Sequence, residues 1–85
     1  MVTFTFTVNN ENGLHARPAG LLVKEAMQCK SSIIFKKDGK QGDAKKIFNV
    51  MGLSVKHGDV VTAEVTGDTE AEDSERLQKF IAENL

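Results

Sequence analysis

The 85-residue chain has one cysteine, one proline, no tryptophan and no tyrosine. A single thiol, Cys29, excludes an intramolecular disulfide and every multi-cysteine zinc site. No apolar run approaches the roughly 20 residues that cross a bilayer. The first residues lack the basic, apolar and cleavage regions of a secretory leader. A cytoplasmic protein without membrane insertion is therefore the expectation. The net charge of −1 removes any global electrostatic case for nucleic acid. There is no repeat, linker or low-complexity tract. Residues 1–85 read as one domain, near the lower size limit for a self-sufficient core, and 40% hydrophobic residues can supply that core.

What is present is orderly. "TFTFTV" (Thr3–Val8) alternates strictly, with Phe4, Phe6 and Val8 on one face, the period of a half-buried strand. From Ala16 the period changes, and Ala19, Leu22, Val23 and Ala26 share one helical face that fades near Gln28. Pro18 suits a first helical turn, where its missing N–H has no intrahelical partner. "SIIFKK" reads as a strand and "KQGD" as its return, with Asp38-Gly39 a type I′ hairpin signal between them. "KKIFNVMGL" places Ile47, Val50 and Met51 at helical spacing, and "VVTAEVT" (Val60–Thr66) is a strand. Thr69 and Glu72 have the spacing of a capping box. Glu70, Glu72 and Asp73 put negative charge in the following first turn, where the helix dipole favours it. Leu77, Phe80, Ile81 and Leu85 form that helix's apolar stripe. The order β-α-β-β-α-β-α, with helices on one face of a mainly antiparallel sheet, is a two-layer α+β sandwich.

The chemistry concentrates in "NGLHARPAG" (Asn12–Gly20). A helix starting at Ala16 leaves His15 at its N-cap, with the amides of Ala16 and Arg17 unpaired and pointing outward. Such an end is a ready anion site. Arg17 adds a planar, always-charged donor suited to bidentate phosphate contact. Neutral imidazole is a good nucleophile near neutral pH, and the positive helix end and Arg17 both disfavour imidazolium. Gly13 lets the chain turn sharply into this position. The alternative is plain: a lone histidine before a helix is commonly a loop residue, and Arg17 an exposed helix charge. Composition alone favours that alternative. Histidine's poor standing as an N-cap counts against a purely structural role.

"GLHARPAG" resembles the active-site signature of the histidine-containing phosphocarrier (HPr) family of the phosphoenolpyruvate-dependent sugar phosphotransferase system. Gly13, Leu14, His15, Ala16, Arg17, Pro18 and Ala19 stand as in that family, and the resemblance extends over the whole chain. It implies an open-faced β-sandwich of four antiparallel strands and three helices. It implies that Enzyme I passes a phosphoryl group to Nδ1 of His15 and that the IIA components of sugar permeases remove it. Arg17 and the amides of Ala16 and Arg17 would hold the phosphoryl oxygens. The protein would need no cofactor or metal of its own. It would be a phosphoryl-transfer intermediate rather than a turnover enzyme, and a monomer.

A carrier that fits two partners in turn needs an exposed apolar patch rimmed by charge. Ile47, Phe48 and Met51 exceed what one face of so short a helix buries, and the resemblance makes Phe48 an exposed anchor. Gly20, Leu21 and Met27 on the first helix would complete the patch, and Lys24, Lys45 and Lys46 would form its basic rim for acidic partners. Ile47 and Met51 read equally well as core, and the lysines as solvated charges. Gly20 costs its helix about 1 kcal/mol relative to alanine, which close approach of a partner would justify.

One departure stands out. Many Gram-positive members carry a serine at the position of Lys46, where a dedicated HPr kinase phosphorylates it. Here no hydroxyl side chain lies between Asp43 and Leu53. The expectation is that this regulatory switch is absent, and acid-stable phosphate appearing after treatment with HPr kinase and ATP would overturn it. Asn49 replaces a glycine common in those members.

The remaining candidates are weaker. His57 in "KHGD" reads as a turn residue, Cys29 as structural, and "DTEAEDSE" as a capped helix start rather than a calcium loop. A regulatory module of the same fold, binding a transcription factor or enzyme, is the competing function. A nucleic-acid binder is suggested by "FKKDGK" and "AKK" but lacks exposed aromatics at RNP-like spacing and lacks net positive charge.

Overall fold

Six residues of alternating threonine and apolar character, Val2–Thr7, form strand β1. Phe6 and the following Val8 are buried, while Thr3, Thr5 and Thr7 are exposed. The computed structural model describes residues 1–14 and 16–85. Helix α1 spans Ala16–Met27, β2 Ser32–Lys37, β3 Lys40–Asp43, α2 Ile47–Met51, β4 Val60–Thr66 and α3 Glu70–Asn84. The four strands make one antiparallel sheet in the order β1-β4-β2-β3. This is the open α+β sandwich expected from the patterns.

Local chemistry accounts for the connections. Asp38 and Gly39 both have positive φ, 48° and 80°, as a two-residue type I′ hairpin requires. Helix α1 ends where Gln28 and Cys29 donate to the carbonyls of Glu25 and Ala26 in a tightened last turn. The core lies between one sheet face and the helices. Ile33, Phe35, Val61, Ala63 and Val65 meet Leu22, Ala26, Val50, Leu77 and Ile81, all buried. Phe6 and Phe35 pack edge to face with centroids 5.5 Å apart, a geometry aromatic quadrupoles favour.

The capping box before α3 is not formed. Thr69 is the N-cap, but its hydroxyl makes no bond to a helix amide. It donates instead to Oδ2 of Asp73 at 2.8 Å. That oxygen also accepts from the amide and hydroxyl of Ser31, at 2.9 and 2.6 Å. Glu70, not Glu72, reaches back, accepting from the Gly67 amide at 3.4 Å.

Candidate functional site

The segment between β1 and α1 is fastened to the segment between α2 and β4. Gly13 has φ 71°, and a Cβ there would lie 2.4 Å from the Val55 carbonyl oxygen and 2.8 Å from Lys56 Cα. Only glycine allows that approach. The Leu14 amide donates to the same Val55 carbonyl at 2.9 Å, and Leu14 is buried. The chain is thus held against a second backbone immediately before position 15. His15 itself lies outside the described residues, as does any structural statement about its proposed role.

Beyond it, α1 opens with Ala16 and Arg17, both exposed, followed by buried Pro18 and Ala19. The first-turn amides of a helix have no partner within it, and its positive end favours anions. Arg17 therefore stands as an exposed guanidinium at a helix start. Further along α1, Gly20 is half-buried with nothing within 4 Å of where a Cβ would sit, and Lys24 is exposed.

Helix α2 packs against α1. Phe48 is 83% exposed on it and Met51 36%, while Ile47 is half-buried against the core. Leu21 and Met27 add exposed apolar surface on α1. The structure brings Gly20, Lys24, Ile47, Phe48 and Met51 onto two adjacent helices. Lys45 is half-buried. Its ammonium donates to the Cys29 carbonyl at 2.9 Å, where a cation answers the negative end of α1. Lys46 is exposed at the N-cap of α2 without a capping side chain. Asn49 turns its amide oxygen to the Asp43 N–H at 3.3 Å, and its backbone closes on Gly42.

His57 is exposed. Cys29 is buried, and burial, followed by the Asp73 charge, raises its thiol above the ordinary value, opposite to a reactive cysteine. Among the described residues no group of three or more His, Cys, Asp or Glu could hold a metal, and no helix is long and apolar enough to cross a membrane.

Sequence reasoning did not find the polar network behind this site. Lys37, the last residue of β2, donates to the Ser54 carbonyl at 2.8 Å and pairs with Asp59 at 2.9 Å. Asp59 Oδ2 also accepts from the Lys56 amide at 2.8 Å. The hydrogen bond from Lys37 and then that from the Lys56 amide hold the Asp59 carboxyl below its usual value. The turn itself was marked by Gly58 and Asp59 in "KHGD". The partner on β2 has no local signature.

Fold and sequence together define a small open-faced α+β sandwich whose first helix opens with Ala16-Arg17-Pro18, shortly after a Gly13-Leu14 segment held against the backbone of a second loop. Residues 2–83 match the family model PTS-HPr, the PTS HPr component phosphorylation site, and the chain belongs to this family of phosphocarrier proteins. The chain is 39% identical over 85 residues to the HPr-like protein Crh of Bacillus subtilis (strain 168), covering 100% of both chains. It is 39% identical over 83 residues to the phosphocarrier protein HPr of Lysinibacillus sphaericus, covering 98% of this chain and 94% of that one. The crystal structure of HPr-C-His from Thermoanaerobacter tengcongensis superposes with a TM-score of 0.92 at 39% identity, covering 99% of this chain and 94% of that one.

Proposed function

We propose that this chain is a phosphoryl carrier of the phosphotransferase system, accepting the group from phospho-Enzyme I on Nδ1 of His15 and donating it to IIA components. The observation that carries the reading is the intact Gly13-Leu14-His15-Ala16-Arg17-Pro18-Ala19 sequence within a family match over residues 2–83. Residues 1–85 act as one domain and as a monomer in the cytoplasm. In the forward step the neutral Nδ1 lone pair of His15 forms the new N–P bond as the donor histidine's N–P bond breaks. The departing imidazole keeps that electron pair and takes up a proton, while His15, now bearing the phosphoryl group on Nδ1, gives up its Nε2 proton, so the exchange balances. Arg17 and the amides of Ala16 and Arg17 bind the phosphoryl oxygens, where they stabilise charge as it passes between two nitrogens. Phe48, Met51 and Ile47, with Gly20 and Lys24, receive both partners in turn.

A second reading is favoured by the similarity to proteins called HPr-like protein Crh, one of them 41% identical over 81 residues. In that reading the chain is a regulatory module that binds a transcription factor or enzyme. Intact-mass spectrometry after incubation with Enzyme I, magnesium and phosphoenolpyruvate separates the two. The carrier gains one acid-labile phosphoryl group that is missing from His15→Ala. No gain, while a known HPr in the same tube is phosphorylated, overturns the carrier reading and leaves the regulatory one.

A further inference from the structure

We propose that Lys37 and Asp59 are positioning residues for phosphoryl acceptance, acting as an ion-paired bracket that fixes the loop leading into His15. The inference rests on the carrier reading given above.

The bracket is built from one ammonium. The Lys37 side chain is only 12% exposed, which is low for a lysine and demands that its three donors be answered. Its Nζ reaches the Ser54 carbonyl at 2.8 Å and Asp59 Oδ2 at 2.9 Å. Asp38, 3.8 Å away and 83% exposed, adds little in water. Ser54 and Asp59 are the two ends of the turn between α2 and β4, so one side chain ties both ends of that turn to the end of β2. Ser54 has φ 55°, a left-handed conformation that a non-glycine residue holds only when its surroundings impose it. The lysine on its carbonyl is such an imposition. Asp59 tightens the same turn from within by accepting the Lys56 amide at 2.8 Å.

The bracketed turn is what the loop before His15 rests on. At the near end of that loop, Val8 N–H donates to the Asp59 carbonyl at 3.0 Å and Gly58 N–H to the Val8 carbonyl at 2.8 Å. At the far end, Leu14 N–H donates to the Val55 carbonyl, and Gly13 lies against Val55 and Lys56. Both ends of Asn9–Leu14 therefore lean on backbone that Lys37 and Asp59 hold in place. Displacement of Val55 would be passed to Leu14, one residue from the proposed nucleophile. A misplacement of about 1 Å in a reacting group can cost on the order of 100-fold in rate.

The variants are Asp59→Asn, which keeps the shape and an acceptor for the Lys56 amide, Lys37→Met, which keeps the packed stem, and Lys37→Arg, which restores a cation. Each is used as the full chain in a phosphorylation assay with Enzyme I, with thermal unfolding followed alongside. The expected result is a fall in kcat of about tenfold for Lys37→Met and a smaller one for Asp59→Asn. KM should stay within about twofold, Lys37→Arg should recover part of the loss, and the Leu14 and Ala16 amide NMR signals should shift in the two impaired variants. A wild-type rate in folded Lys37→Met and Asp59→Asn, or a loss confined to KM, overturns the bracket and leaves the carrier reading intact. Failure of the wild-type chain to be phosphorylated overturns both. If Lys37→Met does not fold, Asp59→Asn and Lys37→Arg decide by the same split between kcat and KM.

Discussion

Asp73 is a carboxylate at 9% exposure, surrounded by groups that donate to it. Burial raises its carboxyl, but the hydrogen bonds from the Ser31 hydroxyl and amide, the Thr69 hydroxyl and the Lys30 backbone outweigh burial and leave it below the ordinary value. A depressed folded value means that the charged form is preferred in the native state. The resulting stability is fully present above the unfolded value of about 3.9 and is lost as pH falls through the lower folded value. Asp73→Asn puts an N–H pair among donors and should cost about 1–3 kcal/mol at neutral pH. Urea unfolding at pH 7 and near pH 3 should show the gap between wild type and variant narrowing with acid, and a gap constant with pH would contradict the argument. None of this was legible from the chain alone. Asp73 reads there as one more acidic residue in a helix's first turn, because its main partner is 42 positions away. The Gly13–Ala19 motif was legible because its residues are contiguous and each has a local reason to be where it is.

Elements were more readable than contacts. Strand alternation and the positive φ pair at Asp38-Gly39 depend on neighbours in sequence, so the hairpin and β4 stand where the pattern put them, and β1 starts and ends one residue earlier than the Thr3–Val8 pattern. Helix α2 is the instructive case. Its five residues, Ile47–Met51, are too short for propensity to hold them. The helix is instead kept by Val50 in the core, by packing on α1, and by the Asn49 contacts to β3. These contacts leave Phe48 outward. A phenylalanine at 83% exposure gives the fold little. Phe48→Ala should therefore change unfolding free energy by no more than about 0.5 kcal/mol. If Phe48 is a docking anchor, the same change should weaken partner binding by more than about 1 kcal/mol, roughly fivefold or more. Titration calorimetry with a IIA component, beside a denaturation curve, tests both halves; an unchanged affinity removes Phe48 from the docking surface. The bond from Lys45 to the Cys29 carbonyl at the α1 C-terminus belongs to this scale as well. The ammonium serves one element from another, across a turn whose path no spacing rule supplies.

At the scale of the whole molecule the question is whether one chain is a complete unit. Crh of Bacillus subtilis has been described crystallographically as a dimer with a swapped domain, and Thermoanaerobacter tengcongensis HPr as a dimer. Strand β1 pairs with β4 along its full length, from Val2 opposite Val65 to Thr7 opposite Val60. An exchanged end strand needs its connection to open out as a hinge. The connection from β1 to α1 is instead bonded at both ends, through Val8 to Gly58 and Asp59 and through Leu14 to Val55, with Gly13 N–H donating to Asn10 between them. Opening it would break these bonds and expose the buried Leu14. The chain is therefore expected to sediment as a 9.3 kDa monomer at micromolar concentration. Loosening the bracket with Lys37→Met should shift the sedimentation equilibrium towards the dimer. A wild-type chain that sediments as a concentration-independent dimer would show that these bonds do not hold the connection closed, and that two chains share the unit one chain forms here.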